Sequence, residues 1–297
     1  MGVVVKKSSS VVVRPSELVM TDNTAIKLSS FDKGLKGSDH IVVRADNGEV
    51  HIQCTGEGVE FVEASVDCAL KVANLLEPLP AARAVLDELA LYYPAEGCYA
   101  PTNPLMMMQV TEFSCGGFVV GVTWNHGTTD GCGMAQFLQA VGKIARGQPA
   151  PSVVPIRWDD ALPSLPSSII EMQQLRVSLE PLDLACLDIN PVKRDQPHQG
   201  WIPGSPCTMF EVVAAVLWRC RTRATMSKPE SPVVLWFAAN VRKHVGAKEG
   251  YYGNGSTGQL VMAASGMVTN GDIMDLIKMI KQAKDRIPDK FTRGWSC

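Results

Sequence analysis

The hydrophobic positions along this chain change period several times, and each change marks an element. From Ile41 the pattern is that of β-structure. Ile41-Val42-Val43 and Val50-His51-Ile52 flank Asp46-Asn47-Gly48. An Asn-Gly pair between apolar runs predicts a hairpin, because its left-handed backbone matches the twist of paired strands. Val59-Glu60-Phe61-Val62 adds a third strand. Val85, Leu86, Leu89 and Tyr93 then recur at helical spacing, between Pro80, which can open a helix, and Pro94, which stops one. A second hairpin follows: a strand from Leu105 to Phe113, a turn at Ser114-Cys115-Gly116-Gly117, and a return strand from Phe118 to Trp124. Met134, Phe137, Leu138, Val141 and Ile144 make one apolar stripe on a helix that Gly147 ends.

Prolines 149, 151, 155, 163 and 166 predict a surface connector, and the polar, Pro-rich stretch 188–206 predicts a crossing between domains. Thr208-Met209-Phe210-Glu211 reads as a capping box, opening a helix through Val213, Ala214, Leu217 and Arg221. Val233 to Ala239 is a buried-type strand, and Gln259 to Ala264 adds another. From Gly271 to Ile287 a helix turns Ile273, Leu276, Ile277, Ile280 and Ile287 inward and Lys278, Lys281 and Lys284 outward, until Pro288 ends it. Residues 1–36 are rich in Ser and Val, with few helix signals. Strands and helices mix without regular βαβ alternation, so the expected layout is α/β with mixed sheets.

Composition narrows the function classes. With 297 residues, 46% hydrophobic and 20% charged, the chain is globular and long enough for two domains. Its net charge of −2 leaves no basic excess for a phosphate backbone, so no nucleic-acid partner is expected. No apolar run approaches the ~20 residues of a membrane span, so no membrane partner is expected either. Nine cysteines, an odd number without Cys-x-x-Cys spacing, read as core residues of a reducing cytosol, and a cytoplasmic location is expected. Five scattered histidines give no support to a zinc site, and no metal is expected. The N-terminus lacks the apolar core of a signal peptide, and Lys6 stands where a myristoylation signal needs Ser or Thr. Asn254-Gly255-Ser256 fits a glycosylation sequon, which matters only in a secreted protein.

The candidate chemistry lies in Trp124-Asn125-His126-Gly127-Thr128-Thr129-Asp130-Gly131. His126 stands at the end of an apolar strand, just before a helix, among small residues. An imidazole so placed can take a proton from an alcohol or amine. On spacing alone, a loop histidine beside a mere helix cap at Asp130 is the favoured reading. Cys132, in Gly131-Cys132-Gly133 at a helix start, or Ser114 could serve a hydrolase, but there is no Gly-x-Ser-x-Gly elbow. Gly253 to Gly258 lacks the lysine of a phosphate loop and reads as a loop between a surface segment and the strand at Gln259. Met106-Met107-Met108 reads as core strand before acceptor pocket, and Lys193-Arg194 as a solvated face.

At this segment the chain resembles a known family. His126-Gly127-Thr128-Thr129-Asp130-Gly131 is similar to the His-x-x-x-Asp-Gly motif of the plant BAHD acyl-CoA-dependent acyltransferases. Its flanks, Gly116 to Val122 and Ala135-Gln136-Phe137-Leu138 with Ala145-Arg146-Gly147, resemble that family too. So do Asn240-Val241-Arg242 and Gly250-Tyr251-Tyr252-Gly253-Asn254. The likeness runs over most of residues 40–290 and points to the grass proteins that resemble hydroxycinnamoyl, benzoyl and taxane-type acyltransferases. It implies a two-domain, chloramphenicol-acetyltransferase-like α/β fold: an N-terminal domain over residues 1–185 and a partial C-terminal domain over 205–297, with the active site between them. It also implies that His126 deprotonates an alcohol or amine acceptor, which attacks the thioester of an acyl-CoA co-substrate. No acyl-enzyme forms, and no cofactor is permanently bound. Asp130 becomes a structural residue paired with Arg242, and Gly131 lets the backbone turn tightly behind the base. A monomer is expected.

The chain departs from the family pattern in three places. The segment after Asp32-Lys33 is shorter than the family's, residues 189–206 match poorly, and Trp295-Ser296-Cys297 precedes the family's Asp-Phe-Gly-Trp-Gly motif. The expectation is therefore a chain shortened internally and at its C-terminus. The alternative function is a catalytically impaired remnant that binds CoA or a partner without turnover.

Overall fold

A computed structural model of the chain describes residues 3–16, 25–33, 44–46, 49–53, 56–73, 75, 80–93, 103–157, 207–225 and 228–288. Two compact units divide it. The first takes residues 1–159, 176–190 and 250–254, and the second takes 160–175, 191–249 and 255–297. The poorly matching stretch 189–206 and Lys193-Arg194 lie outside the described residues.

In chain order the first unit carries β1 (Val5–Lys7), β2 (Val11–Val13), β3 (Ala25–Lys27), α1 (Ser30–Lys33), β4 (Arg44–Asp46), β5 (Glu49–Gln53), β6 (Val59–Val66), α2 (Pro80–Glu88), β7 (Met106–Phe113), β8 (Phe118–Trp124) and α3 (Gly131–Ala145). β4 and β5 form the hairpin the Asn-Gly signal predicts, Asp46 opposite Glu49, and β3 pairs on the far side of β5. Ile41-Val42-Val43 and Asn47-Gly48 themselves lie outside the described residues.

The main sheet is mixed. β1 and β2 follow one another along one edge of β6, β6 runs parallel to β7, and β7 and β8 make the predicted hairpin, Met106 opposite Trp124 and Glu112 opposite Phe118. The period-2 alternation turns Val62, Ala64 and Val66 of β6 and Met107, Gln109, Thr111 and Phe113 of β7 into the interior. The methionine run is thus core strand at Met107. Val85 and Leu89 pack with Val66, Ala73 and Phe113. Gln109 Nε2 donates to the Glu88 carbonyl at 2.8 Å, satisfying a backbone acceptor at the end of α2. Gly121 is needed where β8 passes the end of α2, because a Cβ there would strike the Leu89 carbonyl.

One helical boundary is corrected here, and another helix is met where the sequence places it, with most of its apolar face open. α2 stops at Glu88, short of Tyr93, whose hydroxyl donates to the Pro104 carbonyl, and Leu86 faces solvent. On α3 only Met134 of the apolar stripe is buried, while Phe137, Leu138, Val141 and Ile144 are exposed. A 3.6-residue stripe marks a helix with one apolar face; it does not say that the face is covered.

The second unit contains α4 (Met209–Ala224), β9 (Pro232–Asn240), β10 (Ser256–Ala264), α5 (Ser265–Asn270) and α6 (Ile273–Asp285). The capping box is present at both ends: Thr208 Oγ1 accepts from the Glu211 N–H, and Glu211 accepts from the Thr208 N–H at 2.8 Å. β9 and β10 pair antiparallel over their full length. Phe237 and Val261 join Ala215 and Trp218 of α4, Val268 of α5 and Leu276, Ile277 and Ile280 of α6 in one core. β10 begins at Ser256, three residues before the predicted Gln259, and Gly253, Asn254 and Gly255 before it are buried rather than part of a surface loop.

Candidate active site

β8 ends at Trp124, and residues 125–130 lead into α3. Asn125 builds the turn. Its N–H donates to the Leu105 carbonyl at 2.8 Å, and its own carbonyl accepts from the Thr128 N–H at 2.9 Å and the Thr128 hydroxyl at 2.6 Å. Its side-chain Oδ1 accepts from the Gly127 N–H at 2.9 Å, an Asx-type turn. His126 sits half-buried between these two fixed residues. The Trp124 indole donates to the Thr129 carbonyl at 3.0 Å.

Asp130 is the N-cap of α3. Its carboxylate accepts from the backbone N–H groups of Cys132 (3.1 Å) and Gly133 (3.2 Å), satisfying two of the four donors a helix start leaves free. Next to it Thr129 donates to the Tyr252 carbonyl at 2.5 Å. Of the small residues around the loop, Gly133 is the one at which another group approaches closely. A Cβ on Gly133 would strike the Tyr252 carbonyl and the Thr129 hydroxyl, while one on Gly131 would meet nothing within 4 Å. Cys132 is exposed, as befits a residue on the outer side of the first turn.

Behind the loop lies a buried polar cluster centred on Asp32, whose side chain is 0% exposed. Oδ2 accepts from the Ser29 N–H and hydroxyl, each at 2.7 Å, and from Arg157 Nη2 at 3.0 Å. Oδ1 accepts from Asn254 Nδ2 at 2.6 Å. Both partners reach onward: Arg157 Nη2 donates to the Gly127 carbonyl at 3.0 Å, and Asn254 Nδ2 to the His126 carbonyl at 2.8 Å. Arg157 Nη1 also donates to the Tyr251 hydroxyl at 3.3 Å, which in turn donates to the Asn254 carbonyl at 3.2 Å. Burial alone would lower the Arg157 pKa, but Asp32, Tyr251 and Tyr252 outweigh it and hold the guanidinium above its ordinary value.

In the proline-rich stretch, residues 148–156 are exposed or half-buried, as a surface connector should be, while Arg157 is buried, and residues 158–168 lie outside the described residues. Ile156 bridges to Tyr251, the Ile156 N–H donating to the Gly250 carbonyl at 2.9 Å, and this turns Arg157 inward. Asn254, the sequon residue, is 3% exposed, and the nitrogen a glycan would occupy already donates to Asp32 and His126. His126 Nδ1 and Asn254 Oδ1 are buried with no hydrogen-bond partner among the described residues. Arg242 follows β9 in the second unit, where its N–H donates to Asn240 Oδ1 at 3.0 Å. No group of His, Cys, Asp and Glu suited to a metal ion occurs among the described residues, and no helix there is long and apolar enough to cross a membrane.

Comparison with known proteins bears directly on the resemblance that the sequence around His126 carries. Residues 28–190 and 192–294 match the Transferase family, and the chain belongs to it, among the BAHD acyltransferases. It is 39% identical over 337 residues to Acyl transferase 15 of Oryza sativa subsp. japonica, covering 98% of this chain and 76% of that protein. It spans only 56–60% of the length of further rice acyl transferases. Among solved structures, vinorine synthase aligns with a TM-score of 0.62 at 19% identity, covering 98% of this chain and 79% of its own. TRI101 of F. graminearum, complexed with coenzyme A and T-2 mycotoxin, aligns with a TM-score of 0.54 at 13% identity, covering 89% and 67%. The fold is therefore the chloramphenicol-acetyltransferase-like α/β fold.

Proposed function

We propose that this chain transfers an acyl group from a CoA thioester to a small-molecule alcohol or amine, with His126 as general base. The observation that carries the reading is the construction of residues 125–130: hydrogen bonds to the backbone fix the loop, and the His126 Nδ1 takes no partner among the described residues. Such a loop presents an imidazole whose ring is not consumed by structure.

The chemistry follows directly. The imidazole takes the proton of the acceptor O–H or N–H, and the freed lone pair attacks the thioester carbonyl carbon. The tetrahedral intermediate collapses with cleavage of the C–S bond, and the CoA thiolate takes the proton back from the imidazolium. No bond to the enzyme forms. Asp130, Gly131 and Arg242 support the loop on this reading. Family membership and the coenzyme A bound by TRI101 support acyl-CoA as donor. Free thiols at Cys68, Cys115, Cys132, Cys207 and Cys220 are consistent with a cytosolic, reducing setting, and the reading includes a monomer, which gel filtration tests.

The deciding experiment is release of CoA thiol from acyl-CoA with a panel of alcohol and amine acceptors. His126→Ala is expected to lower the rate by ~10²–10⁴-fold, the usual contribution of a general base. Equal rates in both proteins would overturn the assignment. Acyl-CoA binding without thiol release in either would favour a non-catalytic binding protein.

A further inference from the structure

We infer that Asp32 is a positioning residue for His126, acting through Arg157 and Asn254 on two consecutive peptide carbonyls of the catalytic loop. The inference rests on the general-base reading of His126.

Each arm turns on one nitrogen. Asn254 Nδ2 bridges Asp32 Oδ1 (2.6 Å) and the His126 carbonyl (2.8 Å). Arg157 Nη2 bridges Asp32 Oδ2 and the Gly127 carbonyl, both at 3.0 Å. Both partners of the Asn254 amide are acceptors, so its nitrogen must face them, and the side chain is held between Asp32 and the His126 carbonyl. A movement of the carboxylate is passed to both carbonyls. Those carbonyls fix the peptide planes after His126 and Gly127, and hence the direction in which the His126 side chain leaves the backbone.

In many catalytic histidines the ring is aimed by a carboxylate or carbonyl on its second nitrogen. His126 Nδ1 has no such partner among the described residues, so its aim comes from the backbone. The carboxylate that performs the aiming stands one layer further back. A buried ion pair contributes little stability beyond what an apolar pair of the same shape would give, whereas it does fix one geometry. Asp32 is fully buried and Arg157 nearly so, and the pair is spent on the loop that carries the base.

The test uses the full chain and three variants: Asp32→Asn, Asn254→Ala and Arg157→Lys. A misplacement of about 1 Å costs on the order of 10²-fold in rate. Asp32→Asn is therefore expected to lower kcat by roughly 10–100-fold, with KM for acyl-CoA and acceptor held within about 3-fold. Independently of turnover, the imidazole NMR signal of His126, assigned by its loss in His126→Gln, should shift or split in Asp32→Asn while the thermal melt stays cooperative. An unaltered His126 signal in folded Asp32→Asn, or a rise in KM alone, would overturn the inference. Should Asp32→Asn fail to fold, the single-arm variants carry the same expectations, and an unmoved His126 signal in both overturns it. A wild-type chain without turnover whose His126 signal still moves in the variants supports the positioning role and overturns the acyl-transfer reading alone.

Discussion

At the scale of single residues, glycines 131 and 133 differ in the room each leaves for a side chain. Gly133→Ala forces the Tyr252 carbonyl and the Thr129 hydroxyl apart, and a loss of about 1–3 kcal/mol in urea unfolding is expected. Gly131→Ala meets open space in the first turn of a helix and should be neutral or up to about 1 kcal/mol stabilising. Arg157 stays charged wherever the protein folds, because Asp32, Tyr251 and Tyr252 raise its pKa despite burial. Its contribution is present at every pH below that of a free arginine. Asp130 could be read as a helix cap because its signal is local, a short acidic residue directly before the helix, whereas His126 stood out through the family motif around it. Arg157 could not be found in the sequence, because nothing near it marks an inward turn among prolines. Asp32 showed only as part of a family motif, and Asn254 only in one and in a sequon, since a hydrogen bond between residues 222 positions apart leaves no periodic trace.

At the scale of elements, the helices with chemical punctuation were the legible ones. The capping box at Thr208 and Glu211, and the apolar face of α6, are where the sequence places them. α5 went unread, for its six residues are too few to show a period and no side chain caps its start. β1 and β2 went unread because three-residue strands take their identity from β6, against which they pair. The capping box also ties α4 to α6. Glu211 accepts from Lys284 Nζ at 2.6 Å, and although burial would raise its pKa, Lys284 and the Thr208 N–H hold it below the ordinary value. A lowered carboxylate pKa gives stability that is present above the unfolded value and lost as pH falls through the folded one. Wild-type Tm should therefore drop on acidification below the normal glutamate range. Glu211→Gln should start lower, by about 1–2 kcal/mol at neutral pH, and lose less on the way down.

At the scale of the whole molecule, each unit has a hydrophobic core of its own among the described residues. In the second unit Phe237 and Val261 point into the core, and Trp236, Leu260 and Met262 point out, with Trp236 and Leu260 directly opposite in register. An exposed apolar face of this kind binds hydrophobic dyes and favours association. A Leu260→Lys, Met262→Lys double variant is expected to keep a cooperative melt and to bind less anilinonaphthalene dye than the wild type, read by fluorescence. The Asp32 cluster has a further consequence, for the order in which the molecule is made. Asp32 leaves the ribosome first of the three, Arg157 follows 125 residues later, and Asn254 only after 222. At about 5–20 residues per second, the carboxylate waits roughly 10–40 s for its last partner. Until then a nascent chain can close the Arg157 arm but not the Asn254 arm, so the loop that holds His126 is completed only once Asn254 has emerged.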